Sequence, residues 1–157
     1  ATIVKANTHL VLPLDVEEVK NEDGTIKQDC EICAAKRLVE RIRQEHRQLS
    51  ICIIADDIYS HEPFVMELRK KRMEFLLVAK PTSHTELFLH LEDLNTNSIE
   101  KGNWIEGSGT KTRHFEYRIG KALELTQSGK VVLNFLEVWQ TNNEVKLLYH
   151  NSWITYF

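Results

Sequence analysis

"LSICIIADDIYSHEPF", residues 49–64, contains an apolar run that stops at two adjacent aspartates. The run "ICIIA" is rich in isoleucine, which is typical of a buried strand. A strand can bury such side chains but not a carboxylate, because an unpaired charge is strongly disfavoured in a low-dielectric interior. Asp56 and Asp57 are therefore predicted to mark the end of the strand.

The aspartate pair has two interpretations. In open α/β sheets, ligands bind in the crevice beyond the carboxyl ends of the strands, so acids there indicate a metal, phosphate or acid–base site. Alternatively, an aspartate that follows a strand caps the free N–H groups of the next helix. Because adjacent residues of an extended strand point to opposite faces, only one of the two carboxylates can face a site.

The first two thirds of the chain alternate between strand and helix patterns. Apolar residues recur at helical spacing from Cys30 to Leu49, and Asp29 is the predicted cap of that helix. Residues 51–55 and 75–79 are predicted to be parallel neighbours, because a right-handed crossover through a helix is the usual connection. The predicted elements are an extended segment at 3–14, a helix at 30–49, a strand at 51–55, a helix at about 62–73, a strand at 74–80 and a helix at 83–94.

From residue 99 onward the pattern changes. Short alternating segments are separated by the turns "QSGK" and "TNNE", which is typical of antiparallel strands. We expect residues 99–157 to form antiparallel β structure without a helix longer than two turns. The predicted fold class is thus α/β, with a partial core at 1–97 followed by an all-β unit at 98–157.

Composition places the chain among ordinary globular proteins. Its 157 residues fit one domain or a core with an insertion, and 42% are hydrophobic and 27% charged. The net charge of -3 argues neither for nor against nucleic acid, since a local basic face can coexist with an acidic total. Three cysteines form an odd set, which favours a reducing, cytosolic compartment over a disulfide framework. The sequence shows no apolar run long enough to span a membrane.

Three further motifs have an ordinary structural interpretation beside a functional one. Cys30 and Cys33 have the spacing of zinc ligands, but two cysteines in a helix are the default without a second pair. His84 and His90 are predicted to be surface or capping residues, because a spacing of six does not share one helical face. The basic run at 69–72, "RKKR", suits either phosphate contact or the solvated face of a helix.

Five segments, taken in order, resemble the catalytic region of bacterial insertion-sequence transposases of the DDE superfamily. They are "HLVLPLDVEEV", "DGTIKQDCEICAAKRLVERIR", "IIADDIYSHEPFVMEL", "FLLVAKPTSH" and "VVLNFLEVWQTNN…WIT", and together they span nearly all of the chain. The resemblance implies a ribonuclease H-like mixed sheet with flanking helices, followed by an antiparallel β insertion. It also implies DNA strand cleavage and strand transfer as the activity of the full-length protein.

The resemblance implies roles for individual residues. The family holds two divalent ions, Mg²⁺ or Mn²⁺, with two aspartates and a glutamate. Asp56, with Tyr59 three residues on, occupies the place of the second aspartate and is the implied catalytic and metal-binding residue. Lys80 resembles a lysine near the DNA, and the implied DNA contacts are Lys80, Lys70, Lys71 and Arg72. The implied partners are transposon-end and target DNA, bound by a homodimer in the bacterial cytosol and away from membranes.

Two departures from the family pattern bear on activity. The segment "ATIVKANTHL" holds no acid that matches the family's first aspartate. No tyrosine begins the family's Y-x2-R-x3-E-x6-K pattern, since the third residue after Tyr117 is Gly120. We therefore expect both ends of the chain to be cut, leaving a middle piece of a transposase that is inactive alone. The alternative is a non-catalytic module, derived from a transposase, that binds DNA or a protein partner.

Overall fold

A computed structural model describes residues 1–5, 7–19, 30–93, 99–126 and 129–156. Over these residues the fold is mixed α/β, with three α-helices, a small two-stranded sheet and a six-stranded mixed sheet. None of the helices in these ranges is long and apolar enough to cross a membrane. The helices are α1 (Glu31–Glu45), α2 (Glu62–Lys70) and α3 (Thr85–Asp93).

Eight strands form the two sheets. Two belong to the small N-terminal sheet and six to the large one. They are β1 (Thr2–Val4), β2 (Val11–Pro13), β3 (Cys52–Ala55), β4 (Glu74–Val78), β5 (Ile99–Glu106), β6 (Arg113–Glu124), β7 (Val132–Asn142) and β8 (Leu147–Thr155).

The N-terminal segment differs from its prediction. Residues 3–14 were expected to be one extended segment, but the chain reverses and pairs β1 with β2 antiparallel, Thr2 opposite Pro13. Asn7 adopts a positive φ of 60° in the turn, a conformation that asparagine tolerates better than most residues. Strands of three residues are too short to show an alternation of apolar and polar residues, so the sequence does not predict this hairpin.

Helix α1 differs from its prediction at both ends. Its N-cap is Cys30, whose sulfur accepts a hydrogen bond from the Cys33 N–H, whereas the predicted cap, Asp29, lies outside the described residues. The helix stops at Glu45 rather than Leu49. There the Arg43 guanidinium donates to the carbonyl oxygens of His46 and Leu49, and these bonds support a turn in place of further helix.

The parallel strand pair is confirmed. Strands β3 and β4 pair parallel, with Ala55 opposite Leu77, and α2 forms the connection between them. Helix α2 ends at Lys70, three residues before the predicted end. Parallel pairing brings the carboxyl ends of both strands to one edge of the sheet, where the chain then supplies Asp56 and Lys80.

The antiparallel C-terminal region is also confirmed for the described residues. Strands β5 to β8 form an antiparallel meander, and only a three-residue 3-10 helix, Gly109–Lys111, interrupts it. Strand β8 also pairs antiparallel with β4, so the order in the large sheet is β3-β4-β8-β7-β6-β5. The meander therefore extends the same sheet that carries the parallel pair.

The core lies on one face of the large sheet. Phe75 and Leu77 of β4 and Phe135 of β7 are fully buried there. Each of the three helices contributes to the same cluster, through Val39 and Ile42 of α1, Phe64, Val65 and Leu68 of α2, and Leu87 and Leu91 of α3. Full burial of one such side chain stabilises the fold by about 1.5–3 kcal/mol, so this face holds the sheet and helices together.

The meander buries one charged cluster. Glu137 of β7 is 3% exposed, and its carboxylate accepts hydrogen bonds from Arg118 Nε of β6 and from His150 Nε2 of β8, the latter at 2.7 Å. The Arg118 guanidinium lies 5.7 Å from the ring centroid of Trp139, and that ring stacks on His150. Because a buried charge is costly unless it is paired, this cluster favours one register of the three strands.

Candidate functional site

The candidate site lies where β3 and β4 end. Asp56 follows the last residue of β3, and Lys80 follows β4 by two residues. The Lys80 Nζ lies 3.9 Å from Asp56 Oδ1, and the side chains are 53% and 70% exposed. A pair this exposed contributes little to stability, since solvent screens it. Both groups thus face solvent at the edge that the sequence predicts for a site.

Asp56 is held by the backbone around it. It is the N-cap of a 3-10 helix, Asp57–Tyr59, and its Oδ1 accepts the Asp57 N–H at 2.7 Å. Its carbonyl oxygen accepts the Tyr59 N–H at 3.1 Å. Capping and an exposed carboxylate therefore coexist in one residue, and the two interpretations of the sequence are not exclusive.

Asp57 has a different environment. Its carboxylate is 17% exposed and accepts the Lys80 N–H at 3.0 Å and the Ser83 hydroxyl at 2.7 and 2.8 Å. These donors belong to the turn after β4, so Asp57 ties the ends of the two parallel strands together. Of the two aspartates, only Asp56 offers its carboxylate to solvent.

Tyr59 connects this edge to the start of α1. Its hydroxyl donates to Glu31 Oε1 at 2.5 Å, and its ring lies 5.3 Å from that of Phe64. Burial, the hydrogen bond to Glu31 and the negative charges of Glu31 and Asp56 raise the pKa of Tyr59 to about 12. The phenol therefore stays neutral and acts as a hydrogen-bond donor.

His84 is buried, so it is not a surface residue; it directly precedes α3, and its carbonyl oxygen accepts the Phe88 N–H at 3.1 Å, which agrees with the capping alternative. Its Nε2 lies 2.6 Å from the Ser60 hydroxyl, and its ring stacks on His61 with centroids 5.0 Å apart. The Ser60 hydroxyl has one proton, and it donates that proton to the Asp57 carbonyl oxygen, with an oxygen–oxygen distance of 2.6 Å. In the bond between Ser60 and His84, the His84 Nε2–H is therefore the donor. The turns after β3 and β4 face each other, and that contact encloses the ring.

The surroundings of His84 disfavour its charged form. Burial lowers the pKa of His84, the neighbouring His61 lowers it further, and the Asp57 carboxylate, 3.9 Å away, opposes the shift only partly. A cavity of about 230 Å³ opens beside the ring, and its lining includes Glu62 and Glu86. At neutral pH this region therefore holds a neutral imidazole next to the aspartate pair.

We expect acid to destabilise the protein through His84. Its pKa is lower in the folded than in the unfolded chain, so between those values the unfolded chain binds more protons and stability rises with pH. Lowering the pH from about 7.5 to about 5 should reduce the free energy of unfolding more in the native chain than in His84→Gln. Urea unfolding at both pH values measures this, and His90→Gln, exposed on α3, should keep the native pH dependence. An unchanged pH dependence in His84→Gln would contradict the prediction.

The basic run lies away from this edge. Lys70 ends α2, and Lys71 and Arg72 occupy the turn before β4. Strand β4 has five residues, which span about 17 Å at the usual rise, and Lys80 lies beyond its other end. The structure thus brings Lys80 next to Asp56 but does not bring Lys70, Lys71 or Arg72 to the same edge.

Lys71 is matched by two carboxylates. Its ammonium pairs with Glu40 of α1 and with Glu67 of α2, the latter at 3.1 Å, and its side chain is largely buried. Burial acts to lower the pKa of Lys71, but the hydrogen bonds to Glu40 and Glu67 outweigh it and raise the pKa. The charge of Lys71 is therefore paired within the protein, whereas the side chains of Lys70 and Arg72 are exposed to solvent.

The carboxylates at this edge do not complete a two-metal site. Such a site needs several carboxylate ligands around two ions. Asp57 already accepts hydrogen bonds from the Lys80 N–H and the Ser83 hydroxyl, so of the two aspartates only Asp56 has an exposed carboxylate. In the described part of the chain no three His, Cys, Asp or Glu side chains are grouped so that they could hold a metal ion.

Sequence reasoning missed Ser60, Ser83 and His84 as partners of the aspartate pair. A signal for them exists, because each of the two parallel strands is followed by a Ser-His dipeptide, in "YSH" and again in "TSH". Both serines bond to Asp57, one through its carbonyl and one through its carboxylate. The repeated Ser-His dipeptide after the two parallel strands thus marks side chains that contact one another at the edge of the sheet.

Comparison with known proteins leaves the chain without a family assignment. No protein-family model matches it. No curated protein matches it either.

Proposed function

We propose that this chain belongs to the catalytic region of a DDE-superfamily DNA transposase, with a ribonuclease H-like core, and that Asp56 is one of its catalytic carboxylates. The observation that carries the proposal is the exposed Asp56 carboxylate at the end of β3, 3.9 Å from Lys80 beyond the parallel neighbour β4. A strand end fixed by a cap is a rigid platform, as a precise site requires.

The chemistry at Asp56 follows from its neighbours. The strand and the 3-10 cap fix its backbone, and the hydroxyl of Tyr59 stays protonated nearby. The resemblance implies two Mg²⁺ or Mn²⁺ ions held by three carboxylates, and the described residues do not supply that set. The proposal therefore requires two further carboxylates from outside the described residues.

The proposed partner is DNA, both the ends of the element and its target. Among the described residues Lys80 is the cation that pairs with Asp56, and it is exposed enough to meet a phosphate oxygen. Lys70 and Arg72 are exposed at the far end of β4 and suit a second contact along the same duplex, whereas Lys71 is neutralised by glutamates. Binding by a homodimer is part of the same proposal, since two DNA ends are to be joined.

The test is a cleavage and strand-transfer assay. The reading frame around the coding segment is sequenced, and the full-length product is incubated with Mg²⁺ and DNA that carries the ends of its element. We expect nicks at the ends and joining of the freed 3′-hydroxyl to target DNA. A full-length protein that binds these ends but never cuts them contradicts the catalytic proposal.

We expect the isolated 157-residue chain to bind Mg²⁺ weakly, in the millimolar range or worse, and to cleave no DNA. A single carboxylate leaves Mg²⁺ most of its waters, so little binding energy is gained. Chemical-shift titration with MgCl2 measures the affinity, and Asp56→Asn is the control that should remove the response at residues 55–57. Micromolar affinity would contradict this expectation.

The alternative is a non-catalytic module that binds DNA or a protein partner. It is favoured by two observations. Of the aspartate pair only Asp56 has an exposed carboxylate, and exposed aromatic side chains, including Trp104 and Tyr149, lie on the meander. Aromatic side chains supply contact area at interfaces. Binding without cleavage by the full-length protein in the assay above would favour this alternative.

A further inference from the structure

The start of α1 places two thiols in contact. Cys30 is the exposed N-cap of the helix, and Cys33 lies three residues on and is half-buried. Their sulfur atoms are 2.9 Å apart, and the Cys33 N–H donates to Cys30 Sγ at 3.3 Å. The sequence spacing alone suggests two unrelated cysteines in a helix. The short distance between the two sulfur atoms shows instead that the side chains are in contact.

We propose that Cys30 and Cys33 form a reversible disulfide, so that the start of α1 is a redox-controlled modification site. A disulfide bond is about 2.05 Å long, so the sulfurs need to approach by only about 1 Å. Cys30 is the N-cap and Cys33 is the third residue of the helix, so the two side chains meet across the first turn of α1.

The position favours reaction at Cys30. Cys30 is an exposed residue, and its sulfur lies at the first turn of a 15-residue helix, where N–H groups and the helix dipole favour negative charge. Glu31 opposes this with its own charge, but its carboxylate is engaged by the Tyr59 hydroxyl. The thiolate is the reactive form in thiol–disulfide exchange.

Cys52 provides an internal comparison. It lies on β3, where burial and the charge of Glu74 raise the pKa of its thiol. Cys52 is therefore kept in the less reactive form. The same oxidant should then distinguish the Cys30 and Cys33 pair from Cys52.

The oxidant is a small-molecule disulfide of the glutathione class. The Cys30 thiolate attacks one of its sulfurs, the S–S bond breaks, and one thiolate leaves with the electron pair and takes up a proton. The Cys33 thiolate then attacks Cys30 Sγ and displaces the second small thiol. The protein dithiol loses two protons and two electrons, and the small disulfide takes them up and is reduced to two thiols.

The pair is linked to the candidate site. Glu31 lies between the two cysteines in sequence and accepts the Tyr59 hydroxyl, and Tyr59 belongs to the 3-10 helix that Asp56 caps. In the disulfide, Cys30 Sγ is bonded to Cys33 Sγ and no longer accepts the Cys33 N–H in the same way. The new bond constrains the helical turn that carries Glu31. The effect on the site, but not the disulfide itself, rests on the proposed function of Asp56.

The disulfide is tested on the whole chain in glutathione redox buffers. After alkylation of remaining thiols, mass spectrometry should find a loss of two hydrogens in the peptide that contains Cys30 and Cys33, with Cys52 alkylated. Cys52→Ser should behave like the native chain, while Cys30→Ser should yield no intramolecular disulfide. Glutathione adducts without an internal disulfide, or a disulfide that includes Cys52, would overturn the proposal.

The link to the site is tested by NMR on the same samples. Oxidation should shift the amide resonances of residues 56–60, and these shifts should largely disappear in Tyr59→Phe, which keeps the ring but lacks the hydroxyl that bonds to Glu31. Disulfide formation without any shift at residues 56–60 would overturn the link while leaving the modification site in place. Equal shifts in Tyr59→Phe would overturn the route through Glu31.

Discussion

Asp56→Asn is expected to reduce DNA strand cleavage by the full-length protein roughly a hundredfold or more, with almost no change in stability. Asparagine caps a helix about as well as aspartate, and the side chain is mostly exposed, so the fold should tolerate the change. What is lost is the negative charge that the proposed site requires at the end of β3.

Asp57→Asn is the matched control, with the opposite expectation. It leaves one acceptor oxygen but weakens the bonds from the Lys80 N–H and the Ser83 hydroxyl, which should cost about 1–3 kcal/mol of stability. The folded fraction should keep most of its cleavage activity. Cleavage assays and urea unfolding of both variants measure the two effects. Full activity in Asp56→Asn would exclude it as a catalytic residue, and loss of activity only in Asp57→Asn would transfer the role to its neighbour.

The largest loss of stability is expected from Arg118→Leu, at about 3 kcal/mol. The change removes the cation that donates to the buried Glu137, and it leaves that carboxylate with His150 as a hydrogen-bond partner. An uncompensated buried charge is far more costly than the absence of the whole pair. The removal of both partners should therefore be much milder than the removal of one.

The double variant Arg118→Leu/Glu137→Leu tests this reasoning. Its free energy of unfolding should recover most of the loss seen in Arg118→Leu, because no buried charge remains. Urea unfolding of the native chain, both single variants and the double variant gives the coupling energy between the two side chains. Losses that simply add would show that the ion pair is not the source of the effect.

Local patterns predicted the parts of the fold that depend on neighbouring residues. Period-two alternation identified the meander from residue 99, and the strand-helix-strand order predicted the parallel pairing of β3 with β4. The end of β3 was also predictable, because a carboxylate without a partner is too costly to bury beside apolar side chains. Hence the edge that carries Asp56 and Lys80 could be found from the sequence.

Pairings between distant segments could not be predicted in this way. Strand β8 pairs with β4 across more than seventy residues, Leu77 opposite Ile154, and no local pattern specifies that choice. The burial of His84 depends on the approach of two separate turns, so its helical spacing alone was misleading. The position of Lys71 between Glu40 and Glu67 likewise depends on the packing of α1 against α2.

The position of β3 at the end of the large sheet affects how the protein behaves at high concentration. Within the described chain its outer side pairs with no strand, and Ile54 on it is 62% exposed. The segment "SICIIA", residues 50–55, has no charge and no proline. Uncharged, β-prone strands at a sheet edge are templates for pairing between molecules and for amyloid-like stacking. Aggregation of the concentrated or partly unfolded protein is therefore expected to begin at this segment.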